Sequence, residues 1–435
     1  MEEEEEHATI AASHSHCYKL NKQEGTVESL VPAHPLVYAF TTGICTTDGT
    51  GDYVHGERFL SLLSQVSKER KFSRAAMCND KYSCNPYPHC PLTLDPSQSN
   101  VDLEILISYK TTNLQPLTQL YIGEYGNHLD LLRQQKSVIF APLGLSFSLG
   151  YMKPLLPIDL AESKSSLFQK LDQQWQSLIW PHGYMPKSLF AVGYYSPNKS
   201  FSSEALRAFT HSPLTFEKEI IFFVKGEMEN INALKEALKG SNSKIITTKE
   251  RVLDKDWHIL LQLADVMIAT GDSSCSDPFF YRSLCFWNAH KPIEAKAWEI
   301  TATEWEAPKE VTKNRVIEYI KLLQDQEKLP QFMKMIDQKF MDDWKQFCTY
   351  IETRYTLTPA KIEMLLNMAT QMHLAAQFPE CMPVENVKSS LEKAKEVLDL
   401  ETVRCLAMNY HFKHQVIFQD IATECGRFRH LLGVE

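Results

Sequence analysis

Residues Leu263 to Phe280 read Leu-Ala-Asp-Val-Met-Ile-Ala-Thr-Gly-Asp-Ser-Ser-Cys-Ser-Asp-Pro-Phe-Phe. The apolar run Asp265–Ala269 predicts a buried strand, and Pro278 to Ser283 a short helix. Between them lies a turn of small polar residues. Its backbone N–H groups, with the hydroxyls of Ser273, Ser274 and Ser276, would sit at a helix N-terminus after a strand. Backbone donors and the helix dipole make that position a ready phosphate site. Gly271 and Asp272 would shape the turn, and Asp277 would open the helix. Asp and Ser are also favoured N-caps, so capping and phosphate binding both fit the local sequence.

A second loop, rich in Gly, Thr and Asp, runs from Thr41 to Asp52. It separates the apolar run Leu36–Phe40 from the helical spacing of Phe59, Leu60, Leu62, Leu63 and Val66. The loop offers Asp48, Asp52 and His55 as candidate general bases, with Gly51 allowing close backbone approach. Asp52 is the first choice and His55 the second, three residues on and within i,i+3 reach. The alternative for Asp52 is a cap on a helix beginning at Tyr53. Lys225, Lys249 and Arg251 follow predicted strands and could face an anion. His290, Lys291 and Glu294 follow another. Solvated surface charge is the ordinary fate of each such lysine.

These residues need a frame, and the hydrophobic pattern supplies one. Further strands are predicted at Leu103–Ile107, Gln119–Ile122, Val138–Ala141, Ser188–Gly193, Glu219–Lys225, Lys244–Thr248 and Leu284–Trp287. Helical spacing recurs between several of them. Apolar strands alternating with helices imply parallel sheets covered on both faces. From about Pro308 strand signals stop, and Val316, Ile317, Ile320, Phe332, Met335, Ile336, Phe340, Ile362, Leu365, Leu366 and Met368 repeat at helical spacing. The expected organisation is a flexible acidic and His-rich tail over 1–30, an N-terminal Rossmann-like domain over 31–180 and a C-terminal Rossmann-like domain over 181–305. A helical extension would fill 306–435, packing back on the sheets or forming a lid.

The second half resembles the nucleotide-sugar domain of GT-B fold glycosyltransferases. The resemblance lies in Ala264-Asp265-Val266, then Gly271-Asp272-Ser273-Ser274, then Asp277. It departs at Arg282-Ser283-Leu284-Cys285-Phe286-Trp287, where the superfamily has a Gly-Lys-Pro-Val pattern. The paired serines are also similar to those of CDP- and CMP-dependent transferases of that architecture. The resemblance implies an α/β fold of two Rossmann-like domains facing a cleft, and a nucleotide-activated sugar as donor substrate. It implies no cofactor and no bound metal, because cations and helix N-termini would offset the leaving diphosphate. Gly51, Lys225, Arg251, Gly271, Asp272, Ser273, Ser274, Ser276, Asp277, His290 and Glu294 would bind the donor, with Asp277 and Glu294 on sugar or ribose hydroxyls. Asp52 or His55 would activate the acceptor, a protein, lipid or glycan. A nucleotide-sugar epimerase, a glycerophosphotransferase and a non-catalytic interaction protein are the alternatives.

Other chemistries fit less well. Cys78, Cys84, His89 and Cys90 crowd a proline-rich loop, but their spacing is not that of a paired-cysteine zinc knuckle. Asp254-Lys255-Asp256 spells Asp-x-Asp, yet it precedes a helix and reads as a cap. No Gly-x-Ser-x-Gly elbow and no P-loop occurs. Trp175, Trp180, Trp257, Trp298 and Trp305 read as core or interdomain aromatics, with a sugar-stacking wall as the alternative. His411, His414 and His430 read as packed or surface residues.

Composition sets the outer bounds. The 435 residues suit two or three domains, and 44% apolar with 23% charged residues is ordinary globular usage. The formal charge is -9, five units of which come from Glu2–Glu6. The body is therefore close to neutral, which disfavours a nucleic-acid partner and leaves room for one local anion site. Eleven scattered cysteines behind an acidic start suggest free thiols in a reducing compartment, the cytoplasm. No apolar run reads as a membrane span.

Overall fold

The computed structural model describes residues 149–198, 201–270, 272–288, 292–377 and 384–399. It also describes 18–21, 26–29, 37–42, 51–66, 71–73, 102–107, 118–124, 138–143, 402–403 and 406.

Strands β1 (Tyr18–Asn21) and β2 (Thr26–Ser29) pair antiparallel, Tyr18 opposite Ser29. Both strands lie within the stretch 1–30 expected as a tail. These short strands carry Lys19, Asn21 and Glu28, so their pairing leaves no apolar run in the sequence.

The first large sheet contains β3 (Val37–Thr42), β4 (Lys71–Ser73), β5 (Leu103–Ile107), β6 (Thr118–Glu124) and β7 (Val138–Leu143). All its pairings are parallel, in the order β4-β3-β5-β6-β7. Helix α1 (Gly51–Val66) joins β3 to β4. It starts at Gly51, two residues earlier than the cap at Asp52 would have it.

Helices α2 (Lys164–Lys170) and α3 (Gln173–Ile179) precede the second sheet. That sheet comprises β8 (Leu189–Tyr194), β9 (Ile220–Lys225), β10 (Ser243–Ile246), β11 (Val266–Ile268) and β12 (Leu284–Phe286). It is parallel, in the order β10-β9-β8-β11-β12. Helices α4 (Ser203–Phe209), α5 (Met228–Ala237), α6 (Asp254–Leu263) and α7 (Asp272–Tyr281) connect its strands.

The strand Ile220–Val224 shows why the sheet is covered twice. Ile220, Phe222 and Val224 join the core under α4, α5 and α7. Ile221 and Phe223 join the opposite core, with Leu167, Phe168 and Trp175 of α2 and α3 and with Ile259, Leu260 and Leu263 of α6. An apolar residue at every position therefore has a core to enter. Helices α2 and α3, although they precede residue 181, pack on this second sheet.

Six helices complete the chain as described: α8 (Pro292–Glu304), α9 (Glu310–Leu322), α10 (Leu329–Met333), α11 (Gln338–Tyr355), α12 (Pro359–Gln377) and α13 (Val384–Ala394). They form no separate body. Val316, Tyr319, Phe340, Trp344 and Phe347 enter the core of the second sheet. Ile362, Leu365, Leu366, Met368, Val387 and Leu391 instead pack with Phe59, Leu60 and Leu63 of α1 and with Leu103, Ile105, Leu120 and Ile122 of the first sheet. The chain thus passes between the two halves twice, near Tyr151 and near Thr356, and there the segments form a parallel bridge. Two parallel-sheet units and a helical region that returns to both make the GT-B-like α/β layout expected above.

Candidate functional site

In an open parallel sheet, ligands bind beyond the strand C-termini where the strand order reverses. In the second sheet that point lies between β8 and β11: from β8 the chain builds β9 and β10 on one side, then places β11 on the other. Gly193 lets these two strands pair to their ends. Its φ is +152, and a Cβ there would lie 2.0 Å from the Ile268 carbonyl oxygen. Beyond β11, the Ala269 N–H donates to the Phe286 carbonyl at 2.9 Å and the Thr270 N–H to Ser274 Oγ at 3.2 Å. Helix α7 begins directly, at Asp272.

The expected turn is therefore largely helix already. Asp272, Ser273 and Ser274 form the first turn of α7, and Pro278 stands inside it rather than at its start. A proline there removes one intrahelical N–H donor, and the helix carries on through it. Ser276 is buried in the body of α7, 6% exposed, instead of being displayed in a turn.

In the first sheet the reversal lies between β3 and β5, and α1 is the helix that follows β3. Gly51, Asp52 and His55 occupy its first two turns. The helices leaving the two reversal points meet. Arg58 Nη1 of α1 lies 2.7 Å from Asp277 Oδ1 of α7, with side chains 8% and 13% exposed. Arg58 also donates to the Met152 carbonyl at 3.5 Å. Burial disfavours its charge, but the Asp277 carboxylate outweighs this and holds the guanidinium above its ordinary pKa. Asp277, expected on a sugar or ribose hydroxyl, thus has a protein cation as its partner.

A histidine of α6 is hydrogen-bonded to the last residue of α7. His258 Nδ1 is 2.8 Å from the Tyr281 hydroxyl, and its Nε2 is 3.0 Å from the Pro157 carbonyl. Neutral His258 with the proton on Nε2 satisfies both: Nε2–H donates to Pro157 and Nδ1 accepts from Tyr281.

A cationic edge borders the strand ends. Lys225 is the register partner of Tyr194, and its Nζ donates to the Glu250 carbonyl at 3.0 Å. Burial, then repulsion from Arg251, pushes the Lys225 pKa down. The sequence reading named both cations, and the fold brings them into electrostatic contact. Tyr194 is 49% exposed and packs on Trp257 with ring centroids 5.6 Å apart.

Glu294 lies in the first turn of α8. Gly271 and His290 lie outside the described residues, as do Asp48, Lys291, the Cys78–Cys90 loop and His411, His414 and His430. Asp254 and Asp256 open α6. Asp256 is 1% exposed and accepts from the Asp172 N–H at 3.0 Å, so it secures the start of α3. Among the described residues, no group of His, Cys, Asp and Glu is arranged to hold a metal, and no helix is long and apolar enough to cross a membrane.

Two residues of this region escaped the sequence reading. Arg58 carried a signal: it stands four residues before Leu62, on the apolar stripe of its helix. Tyr194 carried one only in its place, directly after Gly193 at a strand end.

No protein-family model matches the chain, and no curated protein sequence matches it. Its fold is similar to solved structures. A UDP-GlcNAc 2-epimerase from Neisseria meningitidis bound to UDP-GlcNAc is 9% identical, with TM-score 0.34, over 74% of this chain and 100% of that one. Anabaena HepE in complex with UDP and glucose is 9% identical, with TM-score 0.39, over 76% and 98%. A glycosyltransferase from Rickettsia africae is 11% identical, with TM-score 0.34, over 83% and 98%.

Proposed function

We propose that the chain is a metal-independent glycosyltransferase that moves a sugar from a nucleotide-activated donor to an acceptor hydroxyl or equivalent nucleophile. The observation that carries this reading is the meeting of α1 and α7 through Arg58 and Asp277. It joins the two helices that start at the strand-order reversals of the two sheets. A donor site and an acceptor site, each at the place open α/β sheets favour, then share one interface.

The first turn of α7, with Asp272, Ser273 and Ser274, receives the donor phosphates through backbone N–H groups and hydroxyls. Lys225 and Arg251 add positive potential for the leaving diphosphate. Asp52 takes the acceptor proton, with His55 as the second candidate. Glu294 and His290 bind donor hydroxyls. Cys285 and Cys348 are buried thiols, which fits a reducing compartment.

The test is a thermal-shift panel of UDP, GDP, CDP, CMP and their sugar conjugates. A ligand at a hundred times its Kd adds about 2.7 kcal/mol of stability, a shift that is easily read. One nucleotide class should raise Tm, and Ser274→Ala should reduce that rise. No shift with any member removes the reading. Product analysis with labelled donor then separates transfer from epimerisation.

A further inference from the structure

Helix α7 ties three parts of the molecule together. Its N-terminus follows β11 at the reversal of the second sheet. Its middle carries Asp277, paired with Arg58 of the other half at 2.7 Å. Just past its end, Arg282 donates to the Phe279 carbonyl at 2.5 Å and pairs with Glu352 of α11, and Glu352 also pairs with Lys153 at 2.8 Å. Lys153 and Glu352 flank the two chain crossings, where Tyr151 bridges to Thr356. The phosphate-binding end proposed above, the contact between the halves and the crossing point are thus one rigid helix apart.

The Arg58–Asp277 contact suits a switch better than a permanent weld. An apolar interface resists opening because water gains nothing from it. An ion pair between halves can separate, since water solvates both charges once they part, while closed it demands accurate placement of both. We propose that Arg58 and Asp277 form a latch holding the two halves closed over the nucleotide site. Arg58 is then a positioning residue: it sets nucleotide affinity through α7 without touching the nucleotide. This inference rests on the proposed nucleotide site, whereas its geometric part does not.

The test uses the full chain with Arg58→Gln, Asp277→Asn and the exchanged double variant Arg58→Asp/Asp277→Arg, with Arg58→Lys as a milder change. Small-angle scattering reads the radius of gyration, and calorimetry reads affinity for the nucleotide that shifts Tm. Far-UV circular dichroism checks folding. Both single variants should enlarge the radius of gyration and weaken binding about fivefold or more, a typical coupling between sites. Arg58→Lys should fall between them and wild type, and the exchanged pair should recover both readouts. Unchanged dimensions and affinity in the single variants overturn the latch. So does weaker binding in Asp277→Asn with unchanged dimensions and no recovery in the exchanged pair, which would make Asp277 a direct ligand contact. Should no nucleotide bind wild type, the functional reading fails, and the scattering comparison alone decides the latch. Should Arg58→Gln and Asp277→Asn fail to fold, Arg58→Lys decides it by the same two readouts.

Discussion

The backbone of Tyr151 is hydrogen-bonded to both neighbours of Thr356. Its N–H donates to the Tyr355 carbonyl at 2.8 Å, and its carbonyl accepts from the Leu357 N–H at 2.8 Å. The two chain crossings are therefore stitched to one another. Side chains then diverge: Tyr151 enters the core of the second sheet, while Met152 and Leu357 enter that of the first.

Gly150 makes this stitch possible. Its φ is +94, and a Cβ would lie 2.2 Å from the Tyr355 carbonyl oxygen. Gly150→Ala forces either strain or separation of the crossings. The expected loss is at least about 1–3 kcal/mol, the usual cost of a non-glycine residue in such backbone. Urea denaturation with circular dichroism checks it. Wild-type stability in the variant would mean the crossings can part freely.

Asp265, the centre of the Ala-Asp-Val run, has a structural post. Its Oδ1 takes Lys164 Nζ at 2.6 Å, and its Oδ2 accepts from the Phe190 N–H at 3.0 Å. It thereby pins the start of β8 and the start of α2. Asp265→Ala should cost about 1.5–3 kcal/mol, as for hydrogen bonds to a charged group. The nucleotide-induced rise in Tm should persist, because the residue lies at the opposite end of β11 from the α7 terminus. Loss of that rise in a variant of normal stability would contradict this placement.

Edge strand β12 depends on the helices that follow it. The Ser283 carbonyl just before it accepts from Trp344 Nε1 at 2.7 Å, and its outward Cys285 carbonyl accepts from the Tyr319 hydroxyl at 2.5 Å. A bare edge would expose such groups to pairing with other chains. Tyr319→Phe keeps the ring and strands the Cys285 carbonyl. A cost of about 1–3 kcal/mol is expected, read from chemical denaturation midpoints. An unchanged midpoint would show that the carbonyl needs no partner.

His258 should make stability depend on pH. Burial lowers its pKa below the ordinary value; the Pro157 contact and Asp277 oppose this in part, and Arg58 adds to it. The unfolded chain therefore takes up the proton first as pH falls. The stabilisation from neutral His258 is complete above about pH 6.5 and is lost as pH drops through the lowered folded value. Protonated Nδ1 can no longer accept from Tyr281. Thermal melts from pH 7.5 to 5 should show a steeper loss in wild type than in His258→Gln. Parallel curves would refute it.

Much of the frame was legible in the residues. Leu103–Ile107 is a strand with the expected bounds, and β8, β9 and β11 fall within about two residues of theirs. Continuous Ile, Val and Phe runs ended by Gly, Pro or polar residues leave few other conformations once both faces must be buried. The antiparallel pair of β1 and β2 and the three-residue β4 escaped because none has such a run. The start of α7 was misplaced because proline usually opens a helix, and here Pro278 stands inside one.

The sequence by itself determined most strands of the two large sheets, their parallel pairing and the helical character of the described residues from Pro292 onward, because those follow from local apolar periodicity. Tertiary structure alone decided which core each late helix enters, since α11 and α12 carry similar apolar stripes and differ only in the surface that meets them. It also decided the partner of Asp277. Arg58 lies 219 residues away along the chain. No local rule links two charges at that distance. Only the return of the chain through Tyr151 and Thr356 brings α1 against α7, and there burial makes each charge require the other.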